Sequence, residues 1–404
     1  MRAALRPFRE DPALGLSAAL MLLFGSYAAT MAPYSSALAV SHFGLSERAY
    51  ALVLVVASVV AVSASVGLGI LADQRANRRG IALFSGAMLA LGLGLVLALR
   101  TPLAFVLAAA LILPLSGSIF GQLFALARLA ASTRPEPERP AIQATLRAVF
   151  ALPWVLVLPV WALVFRGGAP LMAVYPVGLA LALGFLALSW LFWPRDGATR
   201  WPDPKSGLSF RQSLREIGQP AVLVRVLALG PVHGSVMLYM VVLGLVFTAT
   251  PGRGAGDVAL YAGLLGGVEV PFMLALPRLI GRLPRQAMIF AGMALYALHL
   301  AGLPLLADTP FVWALIVPGA MGGAVILTQP MAYLQDLMAA RPGAGASLMA
   351  LQKLAGDAIC AGTFALGTWI AGYQLAAAMG AVLALAGAGA LWALDRRAGA
   401  GPGV

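Results

Sequence analysis

Glu269 stands in the apolar run Leu-Leu-Gly-Gly-Val-Glu-Val-Pro-Phe-Met-Leu, with no cation beside it in the chain. A charge in hydrocarbon costs about 2.5–3.5 kcal/mol on insertion scales, so such an acid faces a cavity and has a task. It cannot stay ionised cheaply unless water, a polar solute or a proton reaches it, which fits proton coupling or the hydrogen bonding of paired hydroxyls. Gly266, Gly267 and Pro271 flank it and let a helix bend or be closely approached. A structural partner to a buried cation is the plainer alternative.

Three cations and one further acid share the apolar stretches. Arg147 can snorkel to the surface, or offer its planar fork to substrate oxygens or a carboxylate. Lys353 and Asp357 are four apart, so on a helix they form a pair that either neutralises itself or opens when Asp357 takes a proton. Arg225, close to a run's end, is assigned to snorkelling. His233, beside Gly234 and Ser235, titrates in the physiological range and is a cavity candidate; His299 is assigned to packing on a peripheral helix.

Uncharged groups suit a neutral hydroxylated solute better than charges do. Gln122, Gln143, Gln329 and Gln352 are the amides inside apolar runs, and Trp154, Tyr239 and Tyr333, with Tyr27 and Tyr34, are the candidate platforms. Taken singly, each reads equally as packing or interface belt. His42, His233 and His299 lie far apart without neighbouring ligands, so no metal centre is expected. No Ser/His/Asp set or acid pair shares a run, and no filter-like loop interrupts one, which argues against an enzyme and a channel. No cofactor is expected.

The elements that must position these residues are membrane spans. Of the 404 residues, 61% are hydrophobic and 10% charged, with mean hydropathy +0.90; soluble domains carry about a quarter charged residues. Apolar runs long enough to cross about 30 Å of hydrocarbon occur at 14–40, 48–72, 80–100, 102–131, 140–165, 169–193, 220–248, 256–281, 285–307, 309–340, 343–370 and 372–394. The fold class expected is all-α and integral to the membrane. The single cysteine, Cys360, excludes a disulfide within the chain.

The net charge of +12 does not indicate nucleic acid. Of 27 Lys and Arg, twenty fall in segments that an even number of spans places in the cytosol, as the positive-inside rule requires. Both termini are therefore expected in the cytosol, with secondary attraction to anionic lipid. The longest polar interruption, 195–219, reads as a cytoplasmic linker joining a six-helix bundle over 1–194 to a second over 220–404. Within it Phe210, Leu214 and Ile217 share a helical face, consistent with a short helix on the inner leaflet or with a solvated linker. The halves repeat faintly: Arg147 follows Gln122 by 25 positions and Lys353 follows Gln329 by 24.

The connection after the second run, Gly67-Leu-Gly-Ile-Leu-Ala-Asp-Gln-Arg-Ala-Asn-Arg-Arg-Gly80, resembles the loop signature of the major facilitator superfamily. Gly69, Leu71, Ala72, Asp73, Arg78 and Arg79 match it, and Ala76 stands where glycine is usual. The resemblance implies two six-helix bundles and a gating role for Asp73 with Arg78 and Arg79. Further blocks resemble the bacterial Set-type sugar efflux transporters: Gln122 to Arg128, Leu146-Arg147, Gly267 to Leu274 and Tyr333 to Met338. The Gly- and Pro-rich fifth span of many exporters is reduced here to Pro153 and Pro159, and the second-half loop signature has lost its acid.

That resemblance implies a monomeric transporter of the bacterial inner membrane, moving a sugar or glycoside outward in exchange for protons as its bundles rock. Glu269 and Asp357 would couple protons. The amides, the aromatic platforms, Arg147, His233 and Lys353 would hold the substrate. A multidrug or amino-acid exporter and a sugar uptake symporter remain open as alternatives.

Overall fold

The computed structural model describes residues 2–75, 78–201, 219–276, 282–337 and 342–399. A few side chains inside those stretches, those of Asp73 and Gln335 among them, lie outside the description. Twelve long helical elements run through it. They are α1 (Pro12–His42), α2 (Glu47–Arg75), α3 (Arg78–Leu99), α4 (Pro102–Ala131), α5 (Arg139–Arg166) and α6 (Val174–Phe192). The second six are α7 (Pro220–Ala249), α8 (Ala255–Ala275), α9 (Arg285–Leu306), α10 (Pro310–Leu334), α11 (Pro342–Ile370) and α12 (Gly372–Gly399).

These elements follow the twelve apolar runs. Eleven are long and apolar enough to cross a membrane among the described residues, and α11, with Lys353 and Asp357, is the remaining one at 29 residues. α8 ends six residues before the expected limit, and 277–281 lie outside the described residues. So does most of the expected linker, including Phe210, Leu214 and Ile217.

Helix starts follow from local chemistry. The Asp11 carboxylate accepts from the N–H groups of Ala13 and Leu14 at 2.8 and 3.2 Å, with Pro12 in the first turn. Thr101 does the same for Ala104 ahead of α4, again before a proline. Both satisfy donors that a helix start leaves orphaned. Two spans are irregular: α1 passes through a 3₁₀ turn at Ala32–Tyr34 and a π segment at Leu38–His42, and α4 through a π segment at Ala108–Ile112 and a 3₁₀ turn at Leu113–Ser118. Such 3₁₀ and π adjustments keep backbone groups bonded within the segment, as membrane depth requires.

Backbone contacts sort the chain into two compact units, Met1–Ala32 with Val59–Ser209, and Pro33–Ser58 with Phe210–Val404. In the first, Gly25 of α1 admits the Phe150 carbonyl and Pro153 of α5, and Gly86 of α3 admits Phe185 of α6. Trp161 donates to Thr30 at 3.2 Å, and the Ser85 and Ser118 hydroxyls meet at 2.7 Å. In the second, α7 packs on α11 through small residues: a Cβ at Gly234 would lie 2.6 Å from the Gly356 carbonyl, and one at Gly230 2.8 Å from Ala355. Close approach between small residues is how helices gain packing when lipid supplies no hydrophobic drive. Large side chains such as Leu274 (74% exposed) and Leu163 (70%) point outward, as a lipid-facing surface allows.

Candidate functional site

In the second unit, three helices bring polar groups to one carboxylate. Asp357 on α11 accepts from Lys353 Nζ at 2.5 Å and from Ser58 Oγ of α2 at 2.8 Å, both on Oδ2. Its other oxygen lies 3.7 Å from His233 Nε2 of α7. That nitrogen is buried and has no hydrogen-bond partner among the described residues. The α7–α11 glycine contact makes the meeting possible, since Gly356 sits against Gly234 and the imidazole edge of His233. The Asp357 side chain is 12% exposed and that of Lys353 46%, so the lysine is the more open member of the pair.

Glu269 lies fourteen residues into α8, about 21 Å along it at 1.5 Å per residue. Its carboxyl packs against Gly323 of α10, where a Cβ would collide with Oε1. It is half-buried, within electrostatic reach of Tyr239 and Tyr296, and has no hydrogen-bond or ion-pair partner among the described residues. The acid therefore faces a neighbouring helix, and no guanidinium among the described residues neutralises it.

In the first unit, Gln143, Arg147 and Trp154 fall within about 40° of one another around α5, and each is partly buried. Gln122 of α4 is 4% exposed. Its Oε1 and the Nε2 of Gln143 are buried without a partner among the described residues. Unsatisfied buried amides are costly, and these two have the donor and acceptor that a hydroxylated ligand would use.

Other candidates are engaged elsewhere. Tyr333 donates to both oxygens of Asp395 on α12, at 3.0 and 2.9 Å, and so belongs to a different cluster from Asp357. Tyr239 is fully buried in an aromatic group with Tyr261, Tyr296 and His299. Gln352 donates to the Leu229 carbonyl at 3.3 Å, bracing α11 to α7, and Gln329 is buried with its amide 3.4 Å from Thr328. The Asp73 side chain lies outside the described residues. Arg78 is buried, and the Arg79 guanidinium donates to the Trp190 carbonyl at 2.8 Å and lies over the Trp190 ring.

One expectation gains a partner and one is corrected. To the Arg225 reading the structure adds a partner: its Nε donates to Asp395 at 2.8 Å, and both side chains are less than a fifth exposed. That acid, four residues before the end of α12, supplies its counter-charge. His299 packs as expected, but in the interior of its unit, with Nδ1 3.1 Å from the Leu315 carbonyl and 3.3 Å from the Tyr261 hydroxyl. Sequence reasoning also missed Ser58 and Asp395. A serine in an apolar helix has no distinguishing signal, and Asp395, the one acid in the polar end of α12, is followed directly by Arg396 and Arg397, which hides its pairing with Arg225. Among the described residues no group of three or more His, Cys, Asp or Glu could hold a metal ion.

Comparison with known proteins places this geometry in context. The profile of the Major Facilitator Superfamily matches residues 15–363. A protein of Deinococcus radiodurans named "Putative sugar efflux transporter" is 30% identical over 395 residues, covering 95% of this chain and 98% of its own. Among solved structures, the nucleoside transporter NupG superposes with a TM-score of 0.69 at 16% identity, covering 95% of this chain and 98% of its own. A D-xylose-proton symporter gives 0.69 at 17% identity over 93% and 96%. A POT family transporter in complex with 5-aminolevulinic acid gives 0.73 at 12% identity over 93% and 95%. At these identities the structural likeness concerns the fold alone.

Proposed function

The chain belongs to the major facilitator superfamily, a family of multi-pass membrane transporters rather than enzymes, and on that footing we propose that it exports a small neutral solute, a sugar or glycoside, in exchange for protons by alternating access. The observation that carries the reading is Glu269, a membrane carboxyl against Gly323 with no hydrogen bond or ion pair among the described residues. A carboxyl already locked to a guanidinium could not exchange a proton with each cycle; this one has no such partner among the described residues. The relative named for sugar efflux supports the substrate class.

In this reading Glu269 takes the proton that drives the cycle, and Asp357 with Lys353 sets the affinity of the site. Gln122, Gln143 and Arg147 meet substrate oxygens, and Trp154 offers a ring face. Asp73, Arg78 and Arg79 act as the cytosolic latch. The protein works as a monomer of the bacterial inner membrane with both termini in the cytosol, built as bundles 1–194 and 220–404 joined by 195–219.

The test uses purified protein in proteoliposomes, with ¹⁴C-labelled glucose, xylose and lactose and the pH gradient imposed in either direction. Glu269→Gln should abolish gradient-driven movement of the transported sugar while leaving counterflow exchange. Gradient-driven efflux that survives the substitution removes Glu269 from the mechanism; accumulation driven by inward protons makes the protein an uptake symporter.

A further inference from the structure

We infer that the hollow between the ends of α7 and α9 and the start of α12 is a second binding site, which takes a neutral hydroxylated solute on the outer face of the membrane. The choice of a sugar as ligand and the side of the membrane rest on the export reading above; the hollow and its chemistry do not.

Three helix ends of the second unit build it. Thr250 follows α7, Pro304 and Asp308 bound the end of α9, and Ala371, Tyr373 and Gln374 span the turn into α12. Gly372, at φ +80°, makes that turn tight, in a conformation that favours glycine. The hollow measures about 530 Å³, within the roughly 300–1,000 Å³ that small-molecule sites occupy. It lies at the opposite end of α7 from Arg225 and of α12 from Asp395. With both termini in the cytosol, as proposed above, it opens outside.

Four polar side chains line it, two anchored and two open. The Thr250 hydroxyl donates to the Val246 carbonyl at 2.7 Å and the Tyr373 hydroxyl to Glu47 at 3.0 Å, and both oxygens can still accept. The Tyr373 ring is held nearly parallel to Phe364, with centroids 6.5 Å apart, and so presents a fixed apolar surface to a sugar's C–H groups. Asp308 and Gln374 are exposed, with no hydrogen bond or ion pair among the described residues. A carboxylate accepts from two hydroxyls at once, and an amide both donates and accepts. That combination suits neighbouring hydroxyls on a ring.

Arg253 decides that the ligand is neutral. Its guanidinium donates to the Ala307 carbonyl at 3.0 Å and to the Thr309 carbonyl at 2.9 Å, on either side of Asp308, and lies over the rings of Phe247 and Trp313. It fixes the turn that carries Asp308 and forms no ion pair with that carboxylate among the described residues. A cationic solute would meet this guanidinium and an anionic one the Asp308 carboxylate, and like charges brought together oppose binding. A rim held in place before the solute arrives also avoids the cost of ordering it.

Cys360 is the single cysteine of the chain, so a reporter thiol can be placed on the rim as Ala371→Cys in a Cys360→Ala background. Its rate of modification by N-ethylmaleimide is measured on the full-length protein in detergent, with and without glucose, xylose or lactose. At about 100 mM sugar, a site with a Kd of about 10 mM slows modification roughly tenfold, since only free protein reacts. Slowing of at least about threefold by one of the three sugars is expected. It should vanish when Asp308→Asn and Gln374→Ala are introduced together, and persist with Glu269→Gln. No slowing by any sugar overturns the inference, as does slowing that survives the double substitution or that ethanolamine alone produces. Should Ala371→Cys not yield folded protein, Leu305→Cys, also on the wall, replaces it under the same criteria. Sugar transport in proteoliposomes without this slowing removes the hollow and leaves the export reading standing; slowing without transport does the reverse.

Discussion

Tyr333 and Asp395 are joined by hydrogen bonds of 3.0 and 2.9 Å from one hydroxyl to both carboxylate oxygens, and through them α10 is tied to α12. Arg225 from α7 and Gln286 from α9 complete the set on the same acid. Four helices therefore depend on one side chain at a single end of their unit. Its loss leaves a partly buried guanidinium without its counter-charge, and hydrogen bonds to charged groups contribute about 1.5–3 kcal/mol each. Asp395→Ala should lower the unfolding free energy by roughly 3 kcal/mol, read as a lower thermal midpoint in detergent, and Tyr333→Phe by about a third of that. Equal midpoints for Asp395→Ala and wild type would show that the network adds nothing.

The contact of Gly234 with Gly356 makes a sharper steric prediction. A Cβ at Gly234 would come within 2.6 Å of a backbone oxygen, which cannot rotate away as a side chain can. Gly234→Ala should destabilise by about 1–3 kcal/mol, the usual cost of overpacking. Gly94 on α3 has nothing within 4 Å of a built Cβ, so Gly94→Ala should leave the thermal midpoint unchanged or raise it by up to about 1 kcal/mol equivalent.

Asp196 caps α3 from beyond the end of α6. Its Oδ1 accepts from the backbone N–H groups of Arg78 and Arg79 at 3.1 and 3.3 Å. Asp196→Ala should cost about 1 kcal/mol, and Asp196→Asn much less, since the amide oxygen still accepts. Deuterium exchange should rise at the first turn of α3 in the alanine variant, and unaltered protection there would refute the cap.

Outside the membrane, Glu10 forms ion pairs with Arg6 at 2.5 Å and Arg134 at 2.9 Å. The hydrogen bond from Arg6, then that from Arg134, holds its carboxyl below the ordinary 4.5. A carboxyl depressed in the folded state adds stability above its unfolded value and loses it as pH falls through the folded one. The midpoint difference between wild type and Glu10→Gln should therefore be small and positive at pH 7, vanish on acidification below the carboxylate range, and shrink in high salt, because the pair is exposed. A difference that grows towards low pH would reverse the sign.

Much of the fold could be read along the chain. Twelve hydrophobic stretches and the crowding of arginines at alternate ends depend on transfer from water to hydrocarbon, which each segment undergoes on its own. The i, i+4 spacing of Lys353 and Asp357 is equally local, and so is the shared face of Gln143, Arg147 and Trp154 on α5. Glu269 stood out for the same reason, as a charge without a neighbour in its own helix.

What tertiary packing decided is which helices present their polar groups to one another. Arg225 looked like a cation reaching for the surface because its acid lies 170 residues away, and Ser58 meets Asp357 across 299. His299 looked peripheral and is enclosed by three tyrosines. Hydropathy is a property of one segment at a time, so composition and order determined that this chain crosses the membrane. Partnership inside the bilayer depends on close approach at glycines such as Gly234 and Gly356, and that arises when helices pack in three dimensions.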